Sequence, residues 1–223
     1  MVSSFFNAEL YQIVWTSVTI AFYSVIVSGI FGILIAFIID NTHGIVNKTG
    51  RAILNSLMAI PTVVIGLLVY SAISRSGIFG GFSLLYSPLA IIIGQTVLVI
   101  PVISSVLLSG FSGVDIRLSE TLKTLGANGF TYIVAYLYET KIIIATALLT
   151  GFARVVGEVG ISMMLGGNIR YYTRTMTTSI ALETNKGDFK TSLSLALILI
   201  CIALTINFLV HFLIHDKKEI GTL

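Results

Sequence analysis

"LSETLKTLGANGFTYIVAYLYE" (residues 118–139) is the polar interruption on which the reading of this chain turns. It lies between "PLAIIIGQTVLVIPVISSVLLSGF" (88–111) and "IIIATALLTGFARVVGEVGISMML" (142–165), two apolar runs that are each long enough to cross a bilayer. Some twenty residues of Lys, Glu, Thr and Gly between two such runs must sit in water or at an interface, because a lipid core needs only about 20 helical residues per crossing. The stretch also reads as structure. Asp115 is a suitable N-cap, Leu118, Leu122 and Leu125 share one helix face, and Gly126 suits the left-handed position that ends a helix. Asn128 can cap a second helix, whose Phe130, Ile133, Val134 and Leu137 lead into the next apolar run.

The rest of the chain fixes the solvent. Of 223 residues, 56% are hydrophobic and only 10% charged, with mean hydropathy +0.99, where soluble domains carry about 25% charged residues. The chain is therefore expected to be an all-α integral membrane protein, a single domain over 1–223 with five spans at about 10–39, 52–73, 88–111, 142–165 and 192–214. A polar loop at about 112–139 joins the third span to the fourth. The first window exceeds the need, which implies tilt or an interfacial end. Pro61 and Pro101 fall inside spans and are read as kinks. Met1 to Ala8 has no Lys or Arg and the following apolar run is too long for a signal peptide. Cys201, the single cysteine, offers neither a disulfide framework nor a metal cluster.

Loop charge gives an orientation. Lys48, Arg51, Arg117, Lys123, Lys141, Lys217 and Lys218 fall on one side; Arg75, Arg170, Arg174, Lys186 and Lys190 fall on the other. The richer side is expected in the cytoplasm, which places the N-terminus outside and the C-terminus inside an inner cell membrane.

Two segments resemble a known family. Glu120, Gly126 and a helix returning to the membrane resemble the EAA loop of ABC importer permeases, whose pattern is E-A-A, three residues, G, nine residues, I-x-L-P. Leu125, Gly126 and Ala127 match its common L-G-A core. Thr121 and Leu122 replace the alanines, and Tyr136, Tyr138 and Glu139 replace I, L and P. The resemblance implies a coupling helix carried by Glu120, Leu122, Leu125, Gly126 and Ala127, docking on a cytoplasmic ATPase. The other reading is an ordinary amphipathic interfacial helix. "ARVVGEVGISMMLGGNIRYYTRTMTTSIALETNKGDF" (153–189) resembles the end of the penultimate helix and the outer loop of molybdate, sulfate and tungstate permeases. Gly157, Glu158 and Gly160 match G-E-x-G; Gly167, Asn168 and Ile169 match G-N-I; Thr173 and Thr175 match T-x-T. "MLGGNI" with "TRTMTTSIALE" and "KGDF" is most similar to the tungstate branch. The resemblance spans roughly residues 22–211 and implies the five-span type I importer core, a homodimer of permeases, ATPase subunits and an extracytoplasmic solute-binding protein. The bilayer is the remaining partner, and no nucleic acid is expected.

Residue chemistry bears on that reading. Arg154 and Glu158 are four apart within a span, where an ionisable residue is a functional candidate by default. They either line the translocation path or form a neutralised pair that fixes packing. Met163, Gly167 and Asn168 mark the outer gate under the resemblance. Arg170 and Arg174 set a positive field with no compensating acid before Glu183, and Thr173, Thr175, Thr177 and Thr178 add neutral donors. That loop contacts either a binding protein or the oxyanion itself. Residues 177–182 can form a short helix dipping back toward a pore. The chain has no G-x-x-x-x-G-K-[ST] motif, so it is expected to bind no cofactor or metal and to catalyse nothing. ATP and Mg belong to the partner ATPase. The expected function is import of an oxyanion by alternating access, tungstate first, with molybdate or sulfate as alternatives and a secondary transporter, which would show internal repeats, as a further one.

Overall fold

The computed structural model describes residues 2–114, 120–122, 124 and 126–220, with side chains between 8 and 212. Asp115, Arg117, Leu118, Lys123 and Leu125 lie outside the described residues, so the proposed cap and two leucines of the short helix have no structural counterpart here. The helices are α1 (Val2–Asp40), α2 (Ile45–Met58), α3 (Thr62–Ile73), α4 (Pro88–Phe111), α5 (Gly129–Glu139), α6 (Lys141–Val156), α7 (Gly160–Gly166), α8 (Met176–Lys186) and α9 (Phe189–Ile220). Among the described residues there is no strand. Among the described residues three unbroken helices, within α1, α4 and α9, are long and apolar enough to span a membrane; counting α2 with α3 and α5 with α6 as bent pairs makes five segments.

α4 is the hub. Its most apolar window is 67% buried, against 33% for α1 and 11% for α9, so α4 is core and α9 is the periphery that faces lipid or another chain. α4 starts where Ser87 accepts a bond from Ala90 N at 3.3 Å with Pro88 at the first helical position, the pairing of cap and proline that begins helices well. α1 runs parallel to it: Ser24 Oγ donates to Gln95 Oε1 at 3.0 Å, and Ser104 Oγ donates to the Gly32 carbonyl at 3.2 Å. Lipid tails are as apolar as Leu, so helices in a membrane associate through close backbone approach rather than through escape from water. The seam is built for that approach. A Cβ on Gly32 would lie 2.9 Å from Ile103 Cγ2, one on Gly151 2.9 Å from Ile103 Cδ1, and one on Gly110 2.2 Å from Ile143 Cγ2. Ala21, Ala36, Ala90 and Ala147 are buried as well.

The breaks fall where the sequence suggested less. The second expected span, 52–73, is divided: α2 stops at Met58, and α3 restarts after Pro61 at an angle of 94°. Pro61 is extended (φ −58°, ψ 135°) and exposed, so no surrounding helix holds the chain helical through it. Pro101 is buried inside α4, which continues unbroken. The fourth expected span, 142–165, is divided as well. α6 ends at Val156, and α7 begins at Gly160 after Gly157, Glu158 and Val159. α5 meets α6 at 69° across Thr140, whose hydroxyl donates back to the Tyr136 carbonyl at 2.8 Å. The window of α1 from Ala8 to Asp40 has 33 residues, about 50 Å of helix, which a bilayer core of about 30 Å accommodates only with tilt.

A second close seam, of α4 against α7, gives a stability test. A Cβ on Gly94 would stand 2.4 Å from Leu165 Cδ1 and 2.6 Å from Ile161 Cγ2. Gly94→Val is expected to cost about 1–3 kcal/mol, read as a lowered thermal midpoint in detergent. Gly81→Ala, with open space around the new Cβ, is expected to leave the midpoint unchanged.

Candidate functional site

The break after α6 is organised by one carboxylate. Glu158 follows the last turn of α6, with its side chain 5% exposed. Its Oε1 accepts from Gly160 N at 2.9 Å and Ile161 N at 3.3 Å, two of the N–H groups that the first turn of α7 leaves without intrahelical partners. Oε2 takes the Arg154 guanidinium at 3.2 Å. The Glu158 carbonyl accepts from Thr177 Oγ1 at 2.9 Å and Ser162 Oγ at 3.3 Å. From Ser162 the chain of polar contacts continues through Gln95 Nε2 at 3.3 Å to Ser24. The spacing of Arg154 and Glu158 thus pairs them, although Glu158 stands beyond the helix end rather than on its face. Arg154 is 42% exposed, an unusual degree for a guanidinium within a span, where charged groups face protein or a watery cavity.

α8 dips into the bundle beside that break. Thr175 caps it in a reciprocal box with Thr178: Thr175 N donates to Thr178 Oγ1 at 3.0 Å, and Thr178 N donates to Thr175 Oγ1 at 3.4 Å. Met176 N donates to Ser17 Oγ at 2.7 Å. Thr173, Thr175, Thr177 and Thr178 are all buried, and their hydroxyls are spent on backbone or on one another. Thr173 Oγ1, for one, joins Ile169 N at 2.9 Å to the Gly166 carbonyl. Their main work in this state is to seat the loop. That loop turns on Gly167 (φ 68°) and on Asn168 (φ 51°), with Tyr86 packed against Gly167. Asn168 Oδ1 is buried with no bonding partner among the described residues. Met163 is 37% exposed at the α7 surface.

The expectation of an uncompensated positive loop is corrected. Glu9, near the start of α1, binds Arg170 through both carboxylate oxygens and Arg174 Nη1 at 3.2 Å. Gln12 Nε2 adds a bond to the Tyr171 carbonyl at 2.8 Å. Bonding to Glu9 raises the affinity of Arg170 for its proton, so its charge is firmly held but answered. The available signal was the position of Glu9: an acid at the head of an apolar span, on the side to which the span count assigns both arginines. Nearby, hydrogen bonds from the Thr191 hydroxyl (2.6 Å) and N–H (3.2 Å) hold the Asp188 carboxyl below its ordinary pKa and cap α9.

At the opposite end, Gly126 has φ 78°, and Ala127 N bonds the Leu122 carbonyl at 3.0 Å, the closure of a left-handed helix stop. Glu120 is exposed, Leu122 is half-buried, and Leu125 lies outside the described residues. Asn128 occupies the cap position of α5 but makes no side-chain capping bond. Phe130 and Val134 are exposed; with Leu122 and Tyr138 they line an apolar groove of about 430 Å³. The anchor is Tyr136, which the sequence marked only as a departure from a motif. It is 6% exposed, donates to Asp40 Oδ2 at 3.1 Å and packs edge-on to Phe37 and Phe111 at 5.8 and 5.4 Å. One ring thereby ties α5 to the ends of both α1 and α4.

No family model matches the chain. A solved structure described as an amino acid ABC transporter with histidines superposes with a TM-score of 0.67 at 15% identity, covering 95% of each chain. The fold is that of the membrane-embedded part of an ABC transporter. The chain is 32% identical over 208 residues to the tungstate uptake system permease protein TupB of Peptoclostridium acidaminophilum, covering 93% of this chain and 91% of that one. It is 35% identical over 161 residues to TupB of Campylobacter jejuni, covering 72% and 67%. It belongs to the tungstate uptake permease family and is a multi-pass membrane protein.

The central carboxylate can be tested directly. Glu158→Ala strands Arg154 and two backbone N–H groups and is expected to cost about 2–4 kcal/mol. Glu158→Gln, which keeps an acceptor for the N–H pair, is expected to cost about 1 kcal/mol. Comparing the thermal midpoints of the two variants checks the order.

Proposed function

We propose that this chain is the permease subunit of an ATP-driven importer whose cargo is tungstate, with molybdate and sulfate the nearest alternatives as tetrahedral dianions. The observation that carries the reading is the similarity to a tungstate permease across 93% of the chain. The permease works as a homodimer, binds no cofactor and hydrolyses nothing itself. A separate ATPase holds ATP and Mg, and an extracytoplasmic binding protein delivers the anion. The Glu9 end faces outward and the Asp40 end faces the cytoplasm.

In this reading Glu120, Leu122, Leu125, Gly126 and Ala127 form the coupling knob, and the groove lined by Phe130, Val134 and Tyr138 receives the ATPase. Its motion passes through Tyr136 to α1 and α4 together. The gate is the Glu158 break with Met163, Gly167 and Asn168, and Arg154 is the cation on the path. Arg170 and Arg174, held by Glu9, form with Thr173, Thr175, Thr177 and Thr178 the ordered outer surface on which a binding protein rests. Their bonds to Glu9 favour docking over direct capture of the anion.

ATP-dependent tungstate accumulation by the complete importer, expressed in a host without tungstate uptake, is the test. Accumulation of sulfate in place of tungstate would replace the cargo, and no ATP-dependent uptake of any of the three anions would overturn the reading. For coupling, Gly126→Val places a β-branched residue at φ 78°, a strain of about 1–2 kcal/mol. It is expected to leave membrane insertion intact while abolishing stimulation of the ATPase by loaded binding protein.

A further inference from the structure

A second polar cavity lies at the Asp40 end, between α2 and α4. It has a volume of about 320 Å³ and is lined by Arg51, Asn55, Ser105, Ser109 and Ser112, with Leu54 and Leu108. Its chemistry is one-sided. Among the described residues a guanidinium, an amide and three hydroxyls line it, and no carboxylate does. The cavity at the Glu9 end, by contrast, mixes three cations with Glu9, Glu183 and Asp188.

Arg51 is fixed in place: Nε donates to Asn47 Oδ1 at 2.9 Å, Nη1 to the Leu108 carbonyl at 3.0 Å and Nη2 to Asp40 Oδ1 at 3.3 Å. These bonds leave two of its five N–H groups uncommitted among the described residues. Asp40, whose other oxygen is held by Tyr136, steadies the guanidinium from outside the cavity wall. The acceptors that would repel an anion are occupied. The Leu108 carbonyl takes Arg51 Nη1, Ser112 Oγ at 2.8 Å and Ser112 N at 3.2 Å, and Asn55 Oδ1 takes Ser105 Oγ at 2.8 Å. Among the described residues, what remains is donors: the Asn55 NH₂ group, the Ser109 hydroxyl and the spare Arg51 N–H groups. A fixed fork of N–H groups beside neutral donors is the arrangement that suits a tetrahedral oxyanion.

We infer that this cavity is an oxyanion-binding site on the permease, at the end of the bundle where cargo would leave. The inference rests on the oxyanion-importer reading for its location on an exit route, but its chemistry is fulfilled equally by free tungstate or by the phosphoryl group of a lipid at the membrane surface.

The test uses the permease–ATPase complex, without binding protein, in phosphatidylcholine nanodiscs. Equilibrium binding of tungstate is measured alongside native mass spectrometry of retained phospholipid. Asn55→Leu and Ser109→Val remove donors without touching the Arg51 bonds, and unchanged thermal midpoints confirm that both fold. About tenfold weaker tungstate binding in each variant establishes the site with free anion as its ligand. Phospholipid retained by the parent and lost from both variants establishes it with lipid phosphoryl as its ligand. Tungstate binding and phospholipid retention both unchanged in the variants overturn the site. That last result, obtained while the complete importer still accumulates tungstate, would remove the cavity and leave the cargo assignment standing.

Discussion

A helix that restarts inside a membrane exposes backbone N–H groups that lipid cannot satisfy, and the arrangement around the α6–α7 break follows from how Glu158 meets that constraint. One carboxylate caps α7, pairs with Arg154 and presents its own carbonyl to Thr177 and Ser162. α6, α7 and α8 are thereby joined at a single residue, and Ser162 carries the contacts on to Gln95 of α4. The break is held in part because two N–H groups at the start of α7, those of Gly160 and Ile161, bond to the Glu158 carboxylate. Helical continuity is interrupted there beside the 42% exposed side chain of Arg154.

The two ends of the bundle use charge differently. At the Glu9 end an acid gathers two arginines of a loop whose backbone turns on two successive left-handed residues, so the loop is held as a defined surface. At the Asp40 end the acid is shared between Arg51 and Tyr136, which connects the polar loop's anchor to the α2–α4 cavity.

Local chemistry made some of this legible in the sequence. The left-handed stop at Gly126 and the dipping helix after Thr175 both depend on residues within a turn or two of each other. The structure departs from the sequence reading where distant packing decides. Pro61 and Pro101 look alike in a hydropathy trace; only burial separates the break from the continuous helix. The interruption at Gly157–Val159 hides in an apolar run because its partners, Thr177 and Gln95, come from other helices. Glu9 and Arg170 are 161 positions apart, so nothing local tells that the loop charge is answered. Tyr136 stood out only as a mismatch to a motif, since its role depends on Phe37 and Phe111.

The parallel seam of α1 and α4 has a consequence for how the chain is made. α1 precedes its main partner α4 in the chain and carries three buried serines, Ser24 facing Gln95 of α4 and Ser17 facing the start of α8. Ser17, Ser24 and Ser28 each donate to the carbonyl one turn back, at 2.9, 2.8 and 2.6 Å. Such bonds need nothing outside the helix, so α1 can wait in lipid without an unsatisfied hydroxyl. Larger polar residues at those positions would need a partner helix at once, and the nascent chain would then depend on a chaperone or on the insertion machinery to shelter them.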